Sequence, residues 1–162
     1  MGPSSRVDSS IADYGTLLRL GDDFARHVLR LFQLEGKAIA FIEGYANQLK
    51  YGDTDVGIEV KFDRRLHDTG NLFIEIDERR TVDKPFVASG IYRDDLSRWY
   101  LIGDYSRCYV FKKEALVALH MRRGRPSIIS KRKTSHGFLI KPRDIPRVLE
   151  RVWRSTWGGA AV

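Results

Sequence analysis

The sequence predicts an α/β fold in which a mixed central sheet is flanked by helices. Three observations predict it: a helix-spaced apolar run before residue 35, period-two alternation recurring between residues 57 and 111, and a helical pattern at the C-terminal end. With 162 residues, 43% of them hydrophobic, the chain fills one core and is short for two. The single domain is expected over residues 13–157, with a small, polar lead-in over residues 1–12 and a tail over residues 158–162.

The elements follow in order. DDFARHVLRLFQL, residues 22–34, places Phe24, Val28, Leu31 and Phe32 at helical spacing, with acids in the first turn and Gly36 just past the end. KAIAFIE reads as a strand and GYANQLKYGD as an irregular connection. GIEVKFD, residues 57–63, alternates Ile58, Val60 and Phe62 with Glu59, Lys61 and Asp63, as a half-buried strand does. RRLHDTGN is a polar turn, and LFIEID alternates again, so the two strands are expected to pair antiparallel and to bring Glu75 to the face of Glu59 and Lys61. RWYLI and RCYVF flank Gly103–Ser106 as a second hairpin, and KKEALVALHMRR is a short helix. SIIS and GFLI are short strands; Asp144 as N-cap and Pro146 in the first turn then predict a helix through Trp153. Trp99, Tyr100, Tyr109 and Phe111 are expected in the core, with Trp153 and Trp157 as a packing pair on that last helix.

Composition excludes several classes. Cys108 is the only cysteine, so no intrachain disulfide forms and a reducing, cytoplasmic setting is expected. No apolar run approaches the ~20 residues of a membrane helix, and MGPSSRVDSS lacks the apolar centre of a signal peptide. His27, His67, His120 and His136 show no zinc-ligand spacing. The formal charge is +7, and it is unevenly placed. Residues 122–154 hold eleven Lys or Arg against Asp144 and Glu150, a net of +9, which leaves −2 for the remainder. Such a concentration suits a polyanion, and Arg122, Arg123, Arg125, Lys131, Arg132 and Lys133 are the residues expected to meet nucleic acid.

The chemistry centres on Glu59 and Lys61, two residues apart on one strand and so about 6.6 Å apart along it. A carboxylate there suits Mg²⁺, a hard ion that keeps waters and phosphate oxygens in its shell. A lysine beside it can position or deprotonate the attacking water while the ion neutralises charge on a phosphodiester. A second Glu-x-Lys, Glu35-Gly36-Lys37, stands at a helix end; Glu59-Val60-Lys61 differs in its strand setting and in the acids of Gly52-Asp53-Thr54-Asp55 just upstream.

These residues, with TGNLFIEI, SGIYR and WYLIGDY downstream, resemble the PD-(D/E)XK nuclease superfamily over roughly residues 50–115, nearest to its small phage-type nucleases and resolvases. The resemblance implies a restriction-endonuclease-like fold and a Mg²⁺-dependent endonuclease, with Mn²⁺ as substitute, that hydrolyses phage or branched DNA in a bacterial or phage-infected cell. It implies that Asp53, Glu59 and the Val60 carbonyl hold the metal and that Lys61 is the catalytic lysine. Further acids at hand are Asp55, Glu75, Glu43 and, on the first helix, Asp22 or Asp23. Two strands to cut suggest a symmetric homodimer. The rival expectation is a non-catalytic nucleic-acid-binding module on the same fold. Turn geometry separates the two acids upstream: a hairpin loop Asp55–Gly57 sets Thr54 opposite Ile58 and Asp53 opposite Glu59, leaving Asp55 exposed in the turn.

Overall fold

The computed structural model of the protein describes residues 14–154. Two helices open it, α1 (Tyr14–Leu34) and α2 (Tyr45–Tyr51), followed by β1 (Ile58–Phe62), the single turn α3 (Leu66–Thr69), β2 (Leu72–Glu78) and β3 (Val87–Ala88). A 3₁₀ turn, Gly90–Tyr92, leads to β4 (Trp99–Gly103), β5 (Arg107–Lys112) and α4 (Lys113–Arg122). Then come β6 (Ile128–Ile129), β7 (Ser135–Ile140), a 3₁₀ segment Pro142–Arg147 and β8 (Leu149–Arg154).

The strands form two four-stranded sheets. One is mixed, in the order β1-β4-β5-β8, with β1 parallel to β4; the other, β3-β2-β7-β6, is antiparallel throughout. Period-two alternation on β1 and β4 divides the core in two. Ile58, Leu101, Cys108 and Val110 face Phe24, Val28 and Phe32 of α1. On the opposite face Tyr100, Ile102 and Phe111 share a core with Leu72 and Ile74 of β2, Phe138 and Ile140 of β7, and Leu116 and Leu119 of α4. Cys108 lies under α1, where burial and then the nearby Asp104 push its thiol up to about 12.

Several expectations hold: the β1 strand, the β4–β5 hairpin, the α4 helix and the short strands β6 and β7 stand where the sequence puts them. Tyr100 and Phe111 are fully buried, with Trp99 and Tyr109 half-buried beside them.

Others are corrected. The single central sheet is two sheets, because β2 does not pair with β1. The chain between them is not a simple turn: α3, closed by Gly70 in the left-handed conformation, carries it away from the β1 edge, and β2 finds its partner in β7. The first helix begins at Tyr14, so Asp22 and Asp23 sit in its middle; one Gly at position 21, with nothing near it, costs about 1 kcal/mol and does not break a 21-residue helix. KAIAFIE forms no strand of its own, only a bridge from Phe41 to Thr54, and part of GYANQLKYGD is the helix α2. The C-terminal helix is instead β8: the outer edge of β5 presents a full row of backbone donors and acceptors, and β-branched and aromatic residues in VLERVWR suit the strand that covers it. Asp144 therefore caps no long helix, and Trp153 stands in that strand; Trp157, the lead-in over residues 1–12 and the tail over 158–162 lie outside the described residues.

Candidate functional site

Asp53 is fixed from both sides. Ile42 N–H donates to its carbonyl at 3.0 Å, and Asp55 N–H to the Ala40 carbonyl at 3.1 Å, so the extended chain at 40–42 backs residues 53–55. On the other side Ile58 N–H donates to Thr54 Oγ1 at 2.9 Å, and Val60 N–H donates to Asp53 Oδ2 at 2.8 Å. Gly57, with φ of 72°, and its N–H bond to the Thr54 carbonyl make the tight reversal expected there. The expected hairpin register is corrected: Thr54 bridges Phe41 and reaches Ile58 only through its side chain, and Asp53 does not pair with Glu59 but meets Val60 N–H with its carboxylate. Backbone groups of Gly57 and Asp63 bond across to β4, so residues 58 and 60 turn theirs to the outer edge. The Val60 carbonyl therefore shares the edge on which Asp53 sits.

Glu59 and Lys61 project from β1 toward the face of Tyr100 and Ile102, their register partners on β4. Glu59 is fully buried. Lys61 Nζ stands 3.2 Å from Glu59 Oε1 and 3.3 Å from Glu75 Oε1, Lys113 Nζ 3.4 Å from Glu59 Oε2, and Arg93 Nη1 3.8 Å from Glu59 Oε1. None of these cations meets Glu59 with hydrogen-bond geometry; both its oxygens lack a hydrogen-bond partner among the described residues. Glu75 accepts from Ser89 Oγ at 2.8 Å. Gly90 makes that approach possible, since a Cβ there would sit 2.2 Å from the Glu75 carbonyl oxygen.

Electrostatics assign states to the cluster. Burial raises the Glu59 carboxyl, against the pull of Lys61, Arg93 and Lys113, and Asp53 raises it further. Burial also acts against charge on Lys61, but Glu75 and Glu59 overcome it and hold the ammonium well above its ordinary value. Between the two carboxylates Lys61 is held toward its charged form, ion-paired with both and a hydrogen-bond donor to Glu75. For Glu75, burial is outweighed by Lys61 and the Ser89 hydroxyl, which lower its carboxyl.

The remaining candidates separate clearly. Asp55 is exposed and its Oδ1 accepts from Ala40 N–H at 2.9 Å, a turn-fixing role. Glu43 is exposed at the start of α2. Asp22 and Asp23 lie on α1, which covers the opposite face of the sheet, and Asp23 instead faces Tyr105. Asp63, on the Glu59 face by alternation, commits its carboxylate to the backbone N–H groups of Arg65 at 3.0 Å and Phe73 at 3.0 Å, tying β1 to β2. Of the basic residues, Arg123 is engaged with Asp144 at 2.9 Å and with the Leu139 carbonyl. Arg122, Arg125, Lys131 and Lys133 are exposed, and Arg132 is half-buried in the turn between β6 and β7.

Ser89 and Arg93 fall within the SGIYR run without an assigned role, and nothing in the sequence marks Asp95 and Lys113. Lys113 reads as the first residue of a surface helix, yet it is buried and bonded to Asp95 Oδ1 and Ser97 Oγ, both at 2.8 Å. Only the pairing of β4 with β1 carries it under Glu59. The network as a whole, Asp53, Glu59, Glu75, Glu78 and Asp95 against Lys61, Arg93 and Lys113, has a formal charge of −2, that of one divalent cation with sign reversed.

Donors suited to a hard cation are present: Glu59 oxygens without hydrogen-bond donors on the sheet face, and the Asp53 carboxylate and the Val60 carbonyl at the neighbouring edge. Among the described residues no group of three or more His, Cys, Asp or Glu side chains is close enough to hold a metal ion, so such an ion would need waters and substrate oxygens to complete its shell. Comparison with protein-family models, with curated proteins and with solved structures found no match to this chain.

Proposed function

We propose that the protein is a Mg²⁺-dependent endonuclease acting on DNA, on a restriction-endonuclease-like core whose mixed sheet is β1-β4-β5-β8. The observation that carries the reading is Lys61 Nζ held between the carboxylates of Glu59 and Glu75 at 3.2 and 3.3 Å, beside an edge shared by Asp53 and the Val60 carbonyl. Asp53, Glu59 and the Val60 carbonyl would hold the cation, which when bound neutralises charge on the phosphodiester. Lys61 would position the attacking water or, unprotonated, accept its proton, and in its ammonium form would stabilise the additional negative charge of the transition state. Glu75 and Ser89 fix the lysine, and Arg93 and Lys113 keep Glu59 in place. Homodimerisation would match two such sites to two strands.

The reading predicts that supercoiled, linear, branched or single-stranded DNA is cut with Mg²⁺ or Mn²⁺ and is left intact with EDTA. Failure to cut any member of that panel with either ion would overturn it. One observation favours a second reading, a non-catalytic nucleic-acid-binding module: three cations already surround Glu59 and balance it without a metal. That reading expects no thermal shift with Mg²⁺.

Binding to duplex DNA is assigned to the basic C-terminal region. Neutralising Lys131, Arg132 and Lys133 together is expected to weaken binding to all sequences alike, with the log-log salt slope falling by about 0.9 for each phosphate left without its cation. A titration of affinity against salt reads this directly, and an unchanged slope would remove the β6–β7 turn from the interface.

A further inference from the structure

A cleft of about 430 Å³ lies on the face of the antiparallel sheet opposite the shared core. Its apolar part comes from Phe73 and Leu139, a cross-strand pair on β2 and β7, with Ile128. The Phe73 ring rests on Gly137, where an added Cβ would sit 2.6 Å from Cζ. Arg65, from the chain before α3, and Lys131, from the turn after β6, bring charge to it. Both are exposed and neither forms an ion pair among the described residues. The one acid in the lining, Asp63, is buried and gives its oxygens to backbone N–H groups. The lining thus joins an aromatic and aliphatic floor to the polar Thr69, Asn71 and Ser130, with a net charge of +1.

Its position gives this composition meaning. Leu72 and Ile74 point into the core, so Phe73 and Glu75 project from the other face of β2, two residues and about 6.8 Å apart. Glu75 is bonded to Lys61. The cleft therefore adjoins the acid and lysine cluster along one strand.

We propose that the cleft seats one unpaired nucleotide of the DNA strand next to the phosphodiester that is cut, its base against Phe73 and its phosphate at Arg65 and Lys131. This rests on reading the Glu59–Lys61–Glu75 cluster as the cleavage centre. The volume lies within the range of about 300–1,000 Å³ typical of small-ligand sites. An aromatic ring with nearby cations is what single-stranded nucleic acid uses for sequence-tolerant binding. A base inside a continuous duplex cannot reach such a seat without leaving its stack. Substrates with an unpaired nucleotide at the cut, such as single strands, flaps or junction branches, are therefore preferred over continuous duplex.

Anisotropy of a fluorescein-labelled single-stranded octathymidylate, with EDTA present, reads the cleft without cleavage. Phe73→Leu is expected to weaken single-strand binding about 10-fold, within the span of one base stack removed, while duplex affinity changes less than about 3-fold. Arg65→Ala is expected to lower the single-strand salt slope by about 0.7. Ile128 is 44% exposed, so Ile128→Glu keeps the fold and is expected to repeat the loss even if Phe73→Leu unfolds. Unchanged single-strand affinity in Arg65→Ala and Ile128→Glu, or equal losses on duplex, would overturn the proposal. Failure of the nuclease reading has a different signature: wild-type protein that binds the oligonucleotide yet cuts no DNA with Mg²⁺ or Mn²⁺.

Discussion

Lys61→Ala is expected to lose DNA cleavage by about 10²- to 10⁴-fold while binding DNA within a few-fold of wild type. The ammonium sits between two carboxylates and not on an exposed surface, so its charge serves the reacting phosphate more than the rest of the substrate. The variant should fold. Glu59 keeps Lys113 and Arg93, and Glu75 keeps the Ser89 hydroxyl, so no carboxylate is left without a partner. Single-turnover cleavage with Mg²⁺, set beside binding measured in EDTA, separates the two effects. Cutting at the wild-type rate would show that the lysine is only part of a structural ion network.

The paired substitution Asp53→Asn and Asp55→Asn tests the metal edge with an effect of comparable size. In Asp53→Asn the amide oxygen can still accept from Val60 N–H, so the link to β1 persists. What disappears is a negative charge that works against ionisation of Glu59. The metal-free melting temperature should therefore stay the same or rise, while cleavage and the response to Mg²⁺ are lost. For wild type that response should be about 5–10 °C at 100 times the dissociation constant, from about 2.7 kcal/mol of linkage in a domain of this size. Asp55→Asn should retain both properties, since an amide oxygen can replace the carboxylate toward Ala40 N–H and the residue is exposed. A thermal melt with and without Mg²⁺ gives the answer. An essential Asp55 beside a dispensable Asp53 would place the cation on the opposite side of the turn.

Local chemistry was legible wherever one segment decides its own structure. GIEVKFD alternates because one face of β1 packs on α1, and the same alternation sends Glu59 and Lys61 to the other face together. Gly57 announces the reversal before β1, and the apolar spacing of residues 24–32 announces the helix over them. The sequence by itself therefore determined β1 and the shared face of Glu59 and Lys61, while the segments at 37–51 that back Asp53 differ from expectation. It also located the basic region, although the ion pair of Arg123 with Asp144 was beyond it.

Tertiary structure decided the pairing of elements, because strand propensity does not name a strand's neighbour. Adjacency in sequence suggested β1 with β2, but α3 diverts the chain and β1 takes β4 as a parallel partner. The same long-range choice turns VLERVWR from an expected helix into β8, since the outer edge of β5 needs a strand more than the segment prefers a helical turn. It also recruits Ser89, Arg93 and Lys113, residues 28 to 52 positions from Lys61, to stand around the buried Glu59 and the half-buried Glu75. The charges of Arg93 and Lys113 look like solvated surface in the sequence because burial is a property of the assembled sheets. A buried carboxylate must be offset by charge from wherever in the chain the fold can bring it.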